Sequence, residues 1–293
     1  MKKIFLALIV AGVWSACEES IPPINFCGEQ TVTLKDTAYT LTESNIPEAD
    51  FRGILIEDIT GVKCVACPNA AAAATAIQND ATTNPVVILG LYPTGFRALT
   101  FPFPDYIDPR TEVAQNIGAN IYNFASLPAG GVNRKVFDGE TKRDIDFGTW
   151  ANRANTFSGE KATVNLNVVV DQVDDTTFNI NGDFVFMETL VADPFVTIML
   201  LENNIKHPQY YEGGTDYEYK HKHVVRAAYT PYNGTPLLTG DIDQTSRGLR
   251  VEKGWQIVVP EGVVLDEASI AVFLNYNDNE NKEVIQCTEV KLK

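Results

Sequence analysis

From about Ser158 to the C-terminus, apolar and polar positions alternate with a period of two. The segments are Ala162–Val170, Thr177–Met187, parts of Phe195–Leu201 and Tyr217–Tyr229, Leu249–Val259, Ser269–Tyr276 and Glu283–Leu292. Such alternation marks strands with one face buried. Clusters of Gly, Asn, Asp and Pro separate them and no helical period intervenes, which predicts an antiparallel β-sandwich over 158–293. Residues 31–157 read differently. Thr31–Thr33 and Ala38–Thr42 are candidate short strands. Gly53–Ile59 is an apolar strand, Thr60-Gly61 a turn, and the alanine-rich run from Pro68 to Ile77 a strong helix former. Val86–Leu91 is the next strand, followed by a Pro- and Phe-rich loop (92–109) and a helix near Thr111–Ile117. A strand over Gly131–Phe137 and a helix near Phe147–Phe157 complete the segment. Strands and helices in alternation predict an α/β layer structure. The expected fold is thus an α/β domain over 31–157 followed by an all-β antiparallel sandwich.

The N-terminus is of another kind. Lys2 and Lys3 precede an apolar stretch, Ile4–Val13, that is too short to span a bilayer, for which about 20 residues are needed. It fits a secretory signal peptide over residues 1–16. Ser15-Ala16-Cys17 resembles a lipobox, although Trp14 stands where a leucine-like residue is usual. On this reading Cys17 carries the lipid and 17–30 form a lipidated tether. The alternative is an ordinary secreted chain with a free Cys17.

Charge narrows the partners. The 293 residues hold 23 Lys and Arg against 38 Asp and Glu, a net charge of −15; loss of Lys2 and Lys3 with the leader makes it −17. So acidic a chain argues against nucleic acid, which needs a cationic face, and against an electrostatic hold on anionic lipid. The lipid must hold the protein at the membrane. Glu18 and Glu19, directly after Cys17, are either a surface-export signal or a solvated start to the tether. No cofactor motif is evident.

Five cysteines remain to be accounted for. Cys17 is the candidate acylation site. Cys64 and Cys67 form a Cys-x-x-Cys pair between a strand and a helix, a thioredoxin-like arrangement in which helix N–H groups favour a thiolate. Asp58, six residues before Cys64, is placed to move the proton of the second cysteine, with Glu57 as an alternative. Leu127-Pro128 resembles a cis-proline loop packed against the pair. Lys63 replaces the tryptophan usual before the first cysteine. By elimination Cys27 and Cys287 form a structural disulfide in an oxidising compartment. A zinc site, using His221, His223, Cys27 or Cys287, is the weaker alternative because four-ligand sites need a second local pair; no metal is expected.

These segments carry a family resemblance: Leu55–Gly61 with Cys64-Val-Ala-Cys67-Pro68, Leu127-Pro128 through Val132-Asn-Arg134, His221–Ala227, and the ending Asn281–Gln286 to Val290–Leu292. Together they resemble the outer-membrane-protein-28-like lipoprotein family of Gram-negative bacteria. The resemblance implies an outer-membrane lipoprotein with a thioredoxin-like domain and a β-sandwich, and it implies no settled reaction.

Two functions follow. In the first, Cys64 attacks the disulfide of an exported protein or peptide, Cys67 resolves the mixed disulfide, Asp58 assists proton transfer and Pro128 orients the peptide. In the second, the protein is a non-catalytic surface binding or adhesive lipoprotein, with Cys64–Cys67 a structural bond and Tyr210, Tyr211, Tyr217 and Tyr219 as a contact surface or as core.

Overall fold

The computed structural model describes residues 31–293 apart from Asp241, Asp243 and the side chain of Arg97. The expected signal peptide, the tether, Cys17 and Cys27 lie outside the described residues.

The first part of the chain forms β1 (Val32–Thr40), β2 (Ile54–Ile59), α1 (Cys67–Asp80), β3 (Val86–Leu91), the short helices α2 (Arg97–Thr100) and α3 (Glu112–Ile117), β4 (Ala129–Val132) and α4 (Trp150–Asn155). Long strands dominate the rest: β5 (Val164–Gln172), β6 (Thr177–Phe186) and β7 (Pro194–Glu202). Four very short strands follow, β8 (Ile205–Lys206), β9 (Gln209–Tyr211), β10 (Gly214–Asp216) and β11 (Lys220–His221). The chain ends with β12 (Val224–Ala228), β13 (Thr235–Pro236), β14 (Leu249–Val258), β15 (Ala268–Tyr276) and β16 (Val284–Lys291). The molecule is therefore mostly β-sheet with few helices.

Two large sheets carry the architecture. One has four antiparallel strands in the order β1-β14-β6-β5. The other has eight, in the order β16-β15-β7-β12-β3-β2-β4 with β13 alongside β7. Strand pairing crosses position 157/158 in both: β1 joins β14, and β2, β3 and β4 extend the sheet of β7, β12, β15 and β16. Within the larger sheet β2–β3 and β3–β12 are parallel and the other pairs antiparallel.

The sequence dictates this layering. β2 and most of β3 are buried on both faces, which explains their near-continuous apolar runs. Ile54 and Ile56 of β2 pack with Ile88, Ala70 and Ala74 of α1, and Trp150 of α4. Leu55 and Ile59 face the other way, toward α3 and, farther along the sheet, Met199, Leu201 and Phe273. On β7 the alternate residues Val196, Ile198 and Leu200 turn to the four-stranded sheet and meet Phe178, Phe184, Trp255 and Ile257. A single long sheet is thus covered on one face by α1 and α4 at one end and by the four-stranded sheet at the other.

Three local expectations are corrected. The two short strands near residues 31–42 are one strand, β1, with a register shift between Thr33 and Lys35, because β14 is long enough to pair along all of it. The strand expected over Gly131–Phe137 stops at Val132, since Asn133 and Arg134 take left-handed backbone (φ 49° and 50°) and turn the chain. The alternating segment Tyr217–Tyr229 is broken at His223 (φ 55°), so His221 and His223 do not share a strand face.

The two halves meet where β12 runs beside β3, with Val224 paired to Gly90. The Gly90 N–H donates to the His223 carbonyl at 2.7 Å. A Cβ on Gly90 would come within 3.1 Å of the carbonyl oxygens of both Lys222 and His223. The absent side chain is what allows this approach. Gly90→Ala should therefore lower the unfolding free energy by roughly 1–3 kcal/mol, the usual cost of overpacking. Urea unfolding of the variant checks this; an unchanged midpoint would show that the junction tolerates the methyl.

Candidate functional site

The local sequence builds a tight turn ahead of α1. The Cys64 N–H donates to the Gly61 carbonyl and the Cys67 N–H to the Cys64 carbonyl. Pro68 occupies the first turn of α1, where its missing N–H costs nothing. The helix begins at Cys67, so Cys64 stands one turn ahead of it. Cys64 and Cys67 are joined in a disulfide, with Cα atoms 5.4 Å apart. Both are buried, at 3% and 1% exposure, while Val65 between them is 49% exposed. The Leu127–Pro128 peptide is cis, and the Leu127 side chain sits against Gly61.

Strand alternation gives the two acidic neighbours opposite fates. Asp58 follows Ile54 and Ile56 onto the α1 face, the face of the cysteine pair. It is buried, and its Oδ1 has no hydrogen-bond partner among the described residues. Desolvation pushes its pKa up to about 7. Glu57 points to the opposite face. There Arg134 grips it through Nη2 to Oε1 (2.8 Å) and Nε to Oε2 (2.9 Å), and the Tyr122 hydroxyl donates to Oε2 at 2.7 Å. Arg134 also lies over the Phe273 ring. Glu57 is a buried structural ion-pair partner and does not reach the cysteines.

The far half of the chain covers this site. Residues 205–221, between β7 and β12, fold as a small hairpin, β9 with β10, enclosed by the pairing of β8 with β11. The buried Gln209 donates through Nε2 to the Cys64 carbonyl at 3.0 Å and to the Gly61 carbonyl at 3.3 Å. The Tyr210 N–H donates to the Val62 carbonyl at 2.9 Å. Beside them, the Tyr92 hydroxyl lies 2.7 Å from His221 Nδ1, and His221 Nε2 lies 3.0 Å from the His207 carbonyl. A carbonyl only accepts, so Nε2 carries the proton and Tyr92 donates to Nδ1. His207 Nδ1 donates to the Pro208 carbonyl, and the Phe103 N–H donates to His207 Nε2. Burial lowers the His207 pKa and pushes that of His221 down to about 4. Tyr92 is raised by burial and then by Asp58 and Tyr219. Lys63 rests over Phe103 and Phe101.

Gln209, His207 and Tyr92 carry no signal in motif spacing. Tyr92 alone was reachable, because Ile88, Gly90 and Tyr92 continue the alternation that faces Asp58. Of the tyrosines singled out by sequence, Tyr219 packs on His221 (4.6 Å between ring centroids), while Tyr211 and Tyr217 are exposed. Cys287 is buried, with no disulfide partner among the described residues, and its Sγ lies against Gly53. An apolar cleft of about 430 Å³ opens between α1 and α4, lined by Ala73, Ile77, Val86, Phe147 and Ala151, at the opposite end of α1 from the disulfide. Among the described residues no cluster of three His, Cys, Asp or Glu could hold a metal, and no helix is long and apolar enough to cross a membrane.

The profile of the family described as "Outer membrane protein Omp28" matches residues 115–293, more than half of the chain. No curated protein sequence matches it. Among solved structures, HBP35 of Porphyromonas gingivalis is similar over 84% of this chain and 77% of that chain, with a TM-score of 0.63 at 14% identity. That is a likeness of fold alone. A domain of the outer membrane lipoprotein Omp28 from Porphyromonas gingivalis aligns with 45% of this chain and 88% of its own, at 18% identity and a TM-score of 0.28. So low a score supports no structural comparison.

Asp58 generates a test on stability. The native state keeps its proton up to about pH 7, whereas an unfolded aspartate loses it near 3.8. Stability from this group is therefore full below pH 3.8 and is lost as pH rises toward 7. Asp58→Asn should raise the unfolding free energy at pH 8 by roughly 2–4 kcal/mol and have little effect at pH 3.5. Chemical denaturation at the two pH values measures this; an equal change at both would mean that Asp58 does not titrate abnormally.

Proposed function

The chain belongs to the Omp28 outer membrane protein family, and from that premise we propose that it is a lipid-anchored thiol–disulfide exchange protein of the cell envelope. Its place is the outer membrane. Cys17 is the proposed acylation site. Residues 31–157 are proposed as a thioredoxin-like unit, and 158–293 as a β-sandwich fused to it through the shared sheet. The observation that carries the reading is Asp58: a buried carboxyl whose Oδ1 has no partner among the described residues, its pKa raised to about 7, on the α1 face of β2 just before a disulfide at the start of a helix. Keeping such a group costs stability, and groups of this kind concentrate at functional sites.

The chemistry balances as follows. A substrate thiolate attacks Cys64 Sγ and forms a mixed disulfide; the Cys64–Cys67 bond breaks, and Cys67 leaves as a thiolate that takes the Asp58 proton. A second substrate thiol then attacks the substrate sulfur of the mixed disulfide and releases Cys64. The substrate dithiol is oxidised and the cysteine pair reduced. In reverse, Cys64 attacks a substrate disulfide and Cys67 resolves it. Pro128, in the loop against Gly61, is the proposed guide for the substrate chain.

The burial of Cys64 favours a second reading, a structural disulfide in a non-catalytic surface binding lipoprotein. The reduction potential separates the two: a value in the range of catalytic dithiols, above roughly −300 mV, supports exchange, and a lower one a structural bond. Cys67→Ser should trap mixed disulfides with envelope proteins and Cys64→Ser should not; equal trapping, or none, would remove Cys64 from the attacking role.

Cys27 and Cys287 are proposed as a second disulfide fastening the N-terminal segment to β16. Peptide mapping of the oxidised, non-reduced mature protein should yield one linked peptide containing both; free thiols at both positions would refute the bridge.

A further inference from the structure

The exchange reading leaves unexplained why a cysteine that must be attacked is buried. The answer lies in the segment between β7 and β12. The turn that carries Cys64 presents the carbonyls of Gly61, Val62 and Cys64, and residues of this segment donate to all three. Gln209 Nε2 reaches Gly61 and Cys64, and the Tyr210 N–H reaches Val62. The same Gln209 Nε2 also contacts its neighbour's carbonyl, Tyr210 O, at 2.9 Å. The segment is held closed by its own contacts. His207 N–H donates to the Tyr219 carbonyl, His221 Nε2 to the His207 carbonyl, and Tyr92, from the end of β3, donates to His221. Phe103 packs edge-on against both His207 and Tyr210.

We propose that residues 205–221 are a latch on the redox turn, with Gln209 as its positioning residue, and that a thiol reaches Cys64 only when this latch lifts. The proposal deepens the exchange reading, since it assigns that site its access control, but it is tested without assuming catalysis. Gln209 touches no substrate; it acts through the Cys64 and Gly61 carbonyls. Neutral His221 touches Tyr92 and Tyr219, both of which feel the charge of Asp58, and His207 feels Asp108 and Lys63. Around the latch, then, the charged groups sit on the turn and the loop as well as on the segment itself.

The probe is dithiothreitol. Its thiolate attacks Cys64 Sγ, the Cys64–Cys67 bond breaks and Cys67 leaves and is protonated; the second thiol of the reagent then closes its own ring and frees Cys64. Reagent is oxidised and protein reduced. In the full mature chain, reduction should run about 100-fold more slowly than in the same chain unfolded in urea, because only the locally opened state reacts. Gln209→Met keeps the side-chain length and removes the donor, and should speed reduction about tenfold. Val168→Ala weakens the core between the two sheets, far from the turn, and should leave the rate unchanged although it lowers global stability. Equal rates in the folded and unfolded chains would overturn the proposal. So would an unchanged rate in Gln209→Met, or an equal acceleration by Val168→Ala, which would route reduction through global unfolding. Should Gln209→Met fail to fold, the folded-against-unfolded comparison and Val168→Ala still decide. A chain that shows the latch but never exchanges with peptide disulfides loses the catalytic reading and keeps this one.

Discussion

The structure depends on one seam, the parallel contact of β3 with β12. Short as it is, with a single paired position at Val224 and Gly90, it converts two sets of strands into one eight-stranded sheet. Without it, β2, β3 and β4 would form a three-stranded sheet with an exposed apolar edge. The set β16-β15-β7-β12 would likewise end in an open edge at β12, and unpaired edges of this kind are costly and aggregation-prone. Because the seam is made by backbone groups, its requirement falls on a missing side chain. The Gly90 N–H can reach the His223 carbonyl only where no Cβ stands between the strands. His223 in turn adopts left-handed backbone, strain that its Asn203 contact and the seam offset.

The seam also places chemistry from both halves in one spot. The chain that enters β12 has just passed through Gln209 and His221, and the chain that leaves β3 continues through Tyr92. The sheet therefore delivers these side chains to the end of β2, where Asp58 and the cysteine turn are. Two adjacent carboxylates show how sharply the pleat divides roles. Glu57 meets a guanidinium and a phenol, so its charge is paired and hydrogen-bonded, the condition under which a buried ion is tolerated. One position on, Asp58 meets neither, and the same burial drives it toward the neutral acid.

Much of this was legible in the sequence, and the limits have physical causes. The long strands of the C-terminal half, the apolar β2 and β3 and the alanine-rich α1 follow from period-two alternation and propensity, because burial on one or two faces writes itself directly into residue type. The family was legible from the cysteine turn, the Leu127-Pro128 loop and the strand motifs of the C-terminal half. Strand partnership was not: alternation says that β1 and β12 are strands but not that the first joins β14 and the second β3. Left-handed residues such as Asn133, Arg134 and His223 are set by tertiary contact, so they cut two expected strands short without a Gly or Pro to announce it. Gln209 is illegible for the same reason. A lone glutamine in a short strand gains its meaning only from carbonyls about 145 residues away.

Three buried titrating groups oppose one another, and the opposition fixes where they most favour the folded state. His221 and His223 are held neutral by burial with pKa values near 4. Their contribution is present above the ordinary histidine value of 6.5 and is lost as pH falls toward 4, when unfolded histidine binds a proton that the native ring refuses. Asp58 acts in reverse, contributing below 3.8 and losing its contribution as pH climbs to about 7. Between pH 4 and 6.5 the two rings outweigh the one carboxyl, so the group as a whole gains with pH; from 6.5 to 7 only the carboxyl still changes, and the gain reverses. The folded state is thus favoured most by these groups close to neutrality, where Asp58 is still partly protonated. The same burial holds the two rings and the carboxyl in their uncharged forms near pH 6.5.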